Sequence, residues 1–396
     1  MSGQALSGVR VVDLTRVMTG PYCTMLLGDM GADVVKVEQP GKGDDTRAWG
    51  PPFIGSESAY YLSVNRNKRG ITLNLKSEPG QEILWRLIER ADAVVENFSP
   101  GTVERLGFGY QAVRARRPDV VYCSISGFGQ DGPGRDRTAY DLIVQGMSGL
   151  MSVTGFPGSE PTRFGVPIAD IAAGMFAAYA IVSALFHRER SGEGQYIDTS
   201  MLGGQLSLLT YQAGIYFATG EAPGQTGNAH PIVAPYQTFR TADGYVNIAS
   251  GNDVMFGRLC RAMGLERLLD DPRFGDNAGR ITRLAELVAE LESALTQYET
   301  VEVVRRLDAA AVPSGPINTV PQAFAEPQAE HYRMRQRVPH ATLGTVDQVG
   351  FPYAMSGTPC EIRQAPPVLG EHTDQVLGEL GYSSEQVAVL RDQGAV

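Results

Sequence analysis

The chain has 396 residues, of which 43% are hydrophobic and 20% charged, and a formal net charge of −10. That length is enough for a large core and two domains, and the composition is that of a soluble globular enzyme. The acidic balance excludes the broad basic face that a nucleic-acid binder needs, yet a few local Arg and Lys could still hold a small polyanion.

In chain order, 9–15 reads as a buried strand, 21–30 as a helix opened by Gly20-Pro21, and 32–38 as a second strand. A strand over 71–75 follows, then a helix over 81–90, a strand over 93–98, a helix over 103–116 and a strand over 120–126. Repeated β-α-β units imply a parallel sheet with helices on both faces, and such sheets place ligands at the carboxyl ends of their strands. Those ends are Thr15–Thr19, Glu38–Gly43, Asn97–Gly101 and Gly127–Gly134. The apolar run Ile171–Phe186, about 16 residues, is short of the roughly 20 that span a bilayer and reads as a core helix, so no membrane partner is expected. A strand over 196–199 closes this half. A Gly- and Pro-rich linker, a hairpin over 236–250 and helices over 253–263, 280–297 and 300–311 read as a smaller α+β domain. The tail from Glu361 reads as loop, then helices over 374–380 and 384–391.

The opening Met1-Ser-Gly-Gln-Ala-Leu lacks a basic start followed by an apolar core, so no secretory leader is expected. Four cysteines (Cys23, Cys123, Cys260, Cys360) lie far apart with no Cys-x-x-Cys pair, which suits free thiols in a reducing cytoplasm. The five histidines show no His-x-x-x-His pairing, and no metal centre is expected. Gly127-Phe-Gly-Gln-Asp-Gly132 fits G-x-G-x-x-G after a strand, but Pro133-Gly134 follows where the fingerprint needs a helix. No nicotinamide or flavin is expected. Neither a G-x-S-x-G elbow nor a histidine in the context of a base is present.

Asp170 is the most informative residue, a lone carboxylate in Gly165-Val-Pro-Ile-Ala-Asp170 directly before the small-residue run. There it reads either as an N-cap or as a nucleophile toward an activated acyl group. In both readings helix amides and the helix dipole should keep it ionised. Two cationic neighbourhoods, Arg66 to Arg69 and Arg135 with Arg137, read either as solvated charges or as holders of phosphate or carboxylate groups.

Several short stretches decide between these readings. Val11-Val-Asp-Leu-Thr-Arg-Val-Met-Thr-Gly-Pro21, Gly28 to Glu38, Asn65-Arg-Asn-Lys-Arg69, Glu96-Asn-Phe-Ser-Pro-Gly101, Gly127 to Pro133 and Leu369-Gly-Glu-His-Thr-Asp374 are each weak alone. In shared order and spacing they resemble the class III (CaiB/BaiF-like) CoA-transferases over essentially the whole chain. Gly43 to Phe53, Ala234-Pro-Tyr-Gln-Thr-Phe239 and Gly315-Pro-Ile-Asn318 look like the succinyl-CoA:glutarate subgroup.

The resemblance implies an α/β fold: a large Rossmann-like domain built from N- and C-terminal parts, with a smaller α+β domain inserted, in an interlocked homodimer. The corresponding boundaries are 1–205, a linker over 206–230, the small domain over 231–325, and 326–396 returning to the large domain. Asp170 would be the nucleophile, passing through an acyl anhydride and an aspartyl-CoA thioester. The residues carried over for coenzyme A, the substrate thiol carrier, are Met18 and Thr19, Gln39, then Leu73, Asn74, Leu75 and Lys76. Asn97, Phe98 and Ser99 follow, with Arg105 beyond, and Arg137, Thr138, Ala139 and Tyr140 close the set. Met18 and Gln39 depart from formyl-CoA-type members, which carry Gln and a cation there. The racemase branch of the fold pairs the aspartate with a His immediately before Asp141, where this chain has Tyr140. A dicarboxylate substrate would need a cation for its distal carboxylate, expected at Arg47 or Arg66. Oxyanion donors are expected near Gly224–Asn228 and His230.

Overall fold

A computed structural model describes residues 3–396; Met1 and Ser2, part of the stretch read against a leader, lie outside the described residues. The chain divides into two compact units. The first holds the stretch through Leu150, then Arg163–Gly214 and Pro327–Val396; the second holds Met151–Thr162 and Ile215–Glu326. Two expected boundaries move. Met151–Thr162 leaves the large unit because the Gly227 amide donates to the Gly155 carbonyl and Gln225 Nε2 to the Thr154 carbonyl, both at 2.9 Å. The expected linker is partly helical, over Thr210–Thr219.

The first unit is built on six strands: β1 (Arg10–Asp13), β2 (Asp33–Glu38), β3 (Lys68–Thr72), β4 (Ala93–Glu96), β5 (Val121–Ser126) and β6 (Gln195–Ser200). All pair in parallel, in the order β3-β2-β1-β4-β5-β6. This is the order of doubly wound dinucleotide-binding sheets. Helices cover both faces, which explains why the central strands β1, β4 and β5 are near-continuous buried runs rather than alternating ones. On one face Val12, Val35, Ile71 and Val94 pack against Ile83, Leu84 and Leu87 of α2 (Glu78–Ile88). The same layer contains Val376, Leu377 and Val387 from the C-terminal helices Thr373–Glu379 and Ser384–Asp392. On the other face Val11, Val34, Val95 and Cys123 pack against α1 (Thr19–Asp29) and the long helix α4 (Ile168–Ser191). Between α2 and α4 in the chain lies the short α3 (Asp141–Met147).

Helix α4 is 24 residues long with a mean hydropathy of 1.8, enough by length and composition to cross a membrane. Half of that stretch is buried within the unit, where Ala169, Ala173, Ala177 and Ile181 face the sheet. It ends at Gly192, whose φ of 76° is the left-handed turn that suits glycine after a helix.

Elsewhere the elements differ from expectation for local reasons. The helix over 103–116 is two, Thr102–Arg105 and Tyr110–Arg116, parted at Gly107, where φ is 88°. The helix over 280–297 breaks at Arg283 into Asn277–Thr282 and Leu284–Leu295. In the second unit β7 (Tyr236–Arg240) and β8 (Tyr245–Ala249) form an antiparallel hairpin, with β9 (Ser314–Pro316) added to β8. A hairpin of β10 (Arg335–His340) and β11 (Gly344–Val349), unforeseen because Pro339 demotes the run, belongs to the first unit.

Candidate active site

Strands β1 and β4 are neighbours, but the chain leaves them in opposite directions, to β2 and to β5. The connections that leave their carboxyl ends therefore diverge and leave a crevice, the position at which doubly wound sheets bind ligands. A cavity of about 220 Å³ lies there, lined by the turn after β1, by Asn97 to Pro100 after β4, and by Asp170. A second cavity, about 230 Å³, lies beside it at the ends of β2 and β3. The two share Arg16, Asp45 and Phe98 and so form one groove.

The first turn is strained and held from below. Val17 has φ 70°, a left-handed conformation that a β-branched residue avoids. Its amide donates to both Asp44 carboxylate oxygens, at 3.1 and 3.2 Å, and Asp44 is paired with buried Lys36 at 3.0 Å. On the preceding residue, the Arg16 amide donates to Asn97 Oδ1 at 2.9 Å and Asn97 Nδ2 donates to the Arg16 carbonyl at 2.8 Å. Beneath the turn Asp13 is fully buried, accepting from Thr15 and Thr24 and paired with Lys68 at 3.1 Å. Burial draws the Lys68 ammonium down to about 8. Lys68 also donates to the Pro21 carbonyl at 2.9 Å and so props the start of α1.

Asp170 is the third residue of α4 and not its cap. The capping contact comes from α3: Asp141 Oδ1 accepts the Ala169 amide at 2.8 Å, while Asp141 Oδ2 accepts from Gln145 at 2.6 Å. The Asp170 side chain instead accepts a short hydrogen bond from the Thr19 hydroxyl at the start of α1. This corrects the expectation of a carboxylate stabilised by helix amides. Burial, with the nearby Asp141 charge adding to it and the Thr19 bond opposing it, pushes Asp170 up to about 6. It is mostly ionised at neutral pH, but poorly solvated. Close contact between α1 and α4 is made possible by Gly174, where a Cβ would lie 2.7 Å from the Thr19 carbonyl oxygen.

The residues expected to meet coenzyme A separate into groups. Thr19, Asn97, Phe98, Ser99, Arg137, Thr138, Ala139 and Tyr140 line the cavity that contains Asp170. Gln39, Leu73, Asn74, Leu75 and Lys76 line the second, where Phe98 recurs. Met18 and Arg105 line neither. Met18 is a buried N-cap whose carbonyl accepts the Tyr22 amide, and Arg105 bonds the Thr102 hydroxyl at 2.9 Å. Gly127, the first glycine of the G-x-G-x-x-G stretch, lies against Ala139, where a Cβ would come within 2.2 Å of the Ala139 Cβ. The stretch runs on in turns until α3 begins at Asp141.

Arg47 and Arg66, expected to face a substrate carboxylate, are occupied elsewhere. Arg47 makes a two-point pair with Glu38, at 2.8 Å on each oxygen, and stacks over Tyr61. Arg66 makes the same fork with Asp29, at 2.9 and 2.7 Å, and also donates to the Val349 carbonyl. The whole Asn65–Arg69 stretch is an internal ion-pair framework: Asn67 joins Arg66 on Asp29, and Arg69 bonds Asp33 and Glu379. His230 belongs to the second unit, where its amide donates to the Tyr236 carbonyl and its Nδ1 accepts from the Ile232 amide. Asn228 lines a separate cavity of that unit.

Arg16, Asp45, Asp141 and Tyr60 were not singled out from sequence. Arg16 and Asp45 lie inside the stretches that carry the family resemblance, so position was the available signal. Tyr60 is felt through charge: burial and then the Asp170 and Asp141 carboxylates push its hydroxyl up to about 12.

The model for CoA-transferase family III matches residues 6–373, a span that includes every residue lining the groove. The chain belongs to this family, the CaiB/BaiF-like CoA-transferases. A succinate–glutarate CoA-transferase of Agrobacterium fabrum is 42% identical over 381 residues, covering 95% of each chain. The human succinyl-CoA:glutarate CoA-transferase is 39% identical over 392 residues, 99% of this chain and 90% of its own. The crystal structure of a CaiB/BaiF family protein from Brucella suis superposes with a TM-score of 0.86 at 41% identity, covering 96% of this chain and all of that one. As a class III CoA-transferase, the chain is an enzyme whose substrates are CoA thioesters.

Proposed function

We propose that this class III CoA-transferase moves CoA from succinyl-CoA to a dicarboxylic acid, with Asp170 as the nucleophile. The observation that carries the reading is a part-buried carboxylate held by Thr19 in a strand-end crevice, while the other carboxylate of that cavity, Asp45, is paired with Lys42 and Arg16. Asp170 attacks the donor thioester carbon, the C–S bond breaks, and an acyl anhydride and CoA thiolate result. The thiolate attacks the Asp170 carbonyl, releasing the donor acid and leaving an aspartyl-CoA thioester. The acceptor carboxylate then attacks that thioester, and the steps run in reverse to release the new acyl-CoA. Weak solvation favours this attack, because a carboxylate raised to about 6 is less well stabilised than one in water.

Proton exchange at the α-carbon, the competing chemistry of the fold, would need a second base. Tyr140 stands where that histidine would be, and among the described residues no histidine lines the groove. The acid preference draws support from the names of the two relatives. We read the working form as a cytoplasmic homodimer, free of membrane and nucleic acid. The exposed Met175, Phe176, Tyr179 and Phe186 of α4 supply an apolar face that a second copy would cover.

The test is one incubation in D2O of wild type and Asp170→Ala with succinyl-CoA and a panel of free acids, read by mass spectrometry of all CoA species. New acyl-CoAs formed by the wild type alone support transfer and name the acceptor. Deuterium at the α-carbon of an added 2-methylacyl-CoA, without new thioesters, would replace this reading with the racemase one.

A further inference from the structure

We propose that Arg16 is the specificity residue that reads the second carboxylate of the transferred acid, with Asp45 as the counter-ion it exchanges for that carboxylate. The inference deepens the dicarboxylate reading above and rests on it. With Arg47 and Arg66 committed to Glu38 and Asp29, the guanidiniums left in the Asp170 cavity are Arg16 and Arg137. Arg137 sits over the Phe128 ring at 5.1 Å, on the loop after β5. Arg16 likewise sits over a ring, Phe98 at 5.5 Å, but of the two it is the one that lines both cavities, at their junction. Its backbone is fixed on both sides by Asn97, and the strained Val17 that follows is pinned by Asp44. Three residues on, in the same turn, Thr19 holds Asp170. The turn and the helix start that follows it thus carry both the cation and the hydrogen-bond partner of Asp170.

The guanidinium itself is lightly held. Arg16 and Asp45 are 3.6 Å apart, with side chains 50% and 32% exposed. Such a pair is worth little and is readily exchanged. Asp45 also keeps Lys42 at 2.6 Å, so it retains a counter-ion when Arg16 turns to a substrate carboxylate. Lys76 supplies a cation at the far end of the second cavity. The incoming carboxylate would gain a two-point, charge-assisted contact in place of a single long one.

The test compares wild type with R16M, R16K and D45N, measuring Kd for free CoA, Kd for glutarate in the presence of CoA, and KM for glutarate with succinyl-CoA as donor. R16M is expected to weaken glutarate by about tenfold or more in both Kd and KM, to leave free CoA within about twofold, and to leave the melting temperature unchanged. R16K should recover part of the loss, and D45N should tighten glutarate. Equal weakening of CoA and glutarate, or no change in glutarate, overturns the assignment. Should R16M fail to fold, R16K and D45N decide by the same contrast. A wild type that transfers to no acid removes the transferase substrate reading, while the glutarate Kd of R16M still upholds or overturns the role of Arg16.

Discussion

At the scale of single residues, the environment of Asp170 sets opposing demands on activity and stability. In the folded chain it titrates at about 6, above the ordinary 3.8. The folded state therefore binds the proton more tightly than the unfolded one, and stability declines as pH rises through that window and stays lower above it. Asp170→Asn should abolish transfer and stabilise the protein at pH 7–8 by up to ~2–3 kcal/mol, a gain that vanishes below about pH 4. Paired thermal melts across pH check this. Wild-type activity should fall as pH drops through about 6, where the nucleophile is protonated. Thr19 lowers that value through its hydroxyl, so Thr19→Val should move the acid limb of the pH–rate profile upward and reduce kcat. Asp170 itself stood out in the sequence because a lone carboxylate precedes a small-residue run. Thr19 was expected at the coenzyme A site but not as its partner, and Asp141 not as the cap beside it, since they lie 151 and 29 positions away along the chain.

The elements show why the cations chosen from sequence take other roles. Asn65–Arg69 ties α1, the sheet and the C-terminal part of the unit together through Asp29, Asp13, Asp33 and Glu379. Removing one partner of a buried pair leaves the other charge uncompensated. Arg66→Met should therefore cost about 3–5 kcal/mol in chemical denaturation and should not raise KM for dicarboxylates selectively. Asp29 is left nearly fully buried in that variant, which is the physical reason. The contact between α1 and α4 depends on Gly174 in the same concrete way. Gly174→Ala drives a methyl to 2.7 Å from the Thr19 carbonyl, so it should push the helices apart, lengthen the Thr19–Asp170 bond and depress kcat more than CoA affinity. Rates and CoA binding measured on one preparation separate these effects. Most strands and helices were legible because parallel buried strands are apolar runs and the helices have clear stops. The hairpin Arg335–His340 and Gly344–Val349 was not, because its residues are largely exposed on one side and Pro339 interrupts them.

For the whole molecule, the strand order places both halves of the groove on one edge of the sheet and leaves the outer face of α4 uncovered. Phe186 and Tyr179 are 63% and 75% exposed there, an unusual cost for a lone chain. Light scattering should give twice the 42.7 kDa chain mass, and Tyr179→Glu with Phe186→Glu should shift it to one chain. Retention of the dimer by that double variant would move the interface elsewhere.

The sequence by itself determined the alternation of strand and helix, the family, and most of the residues that line the groove, Asp170 among them. The alternation is written locally, in runs and turns, whereas the family and the groove residues are read from several short stretches in a shared order and spacing. Only the tertiary structure decided which charges line the groove and which are committed to one another. An arginine has the same appearance in sequence whether its partner is Asp29, Glu38 or a substrate carboxylate. The strand order that sends the chain opposite ways after β1 and β4, and the packing that sets Thr19 against Asp170, settle that choice in space.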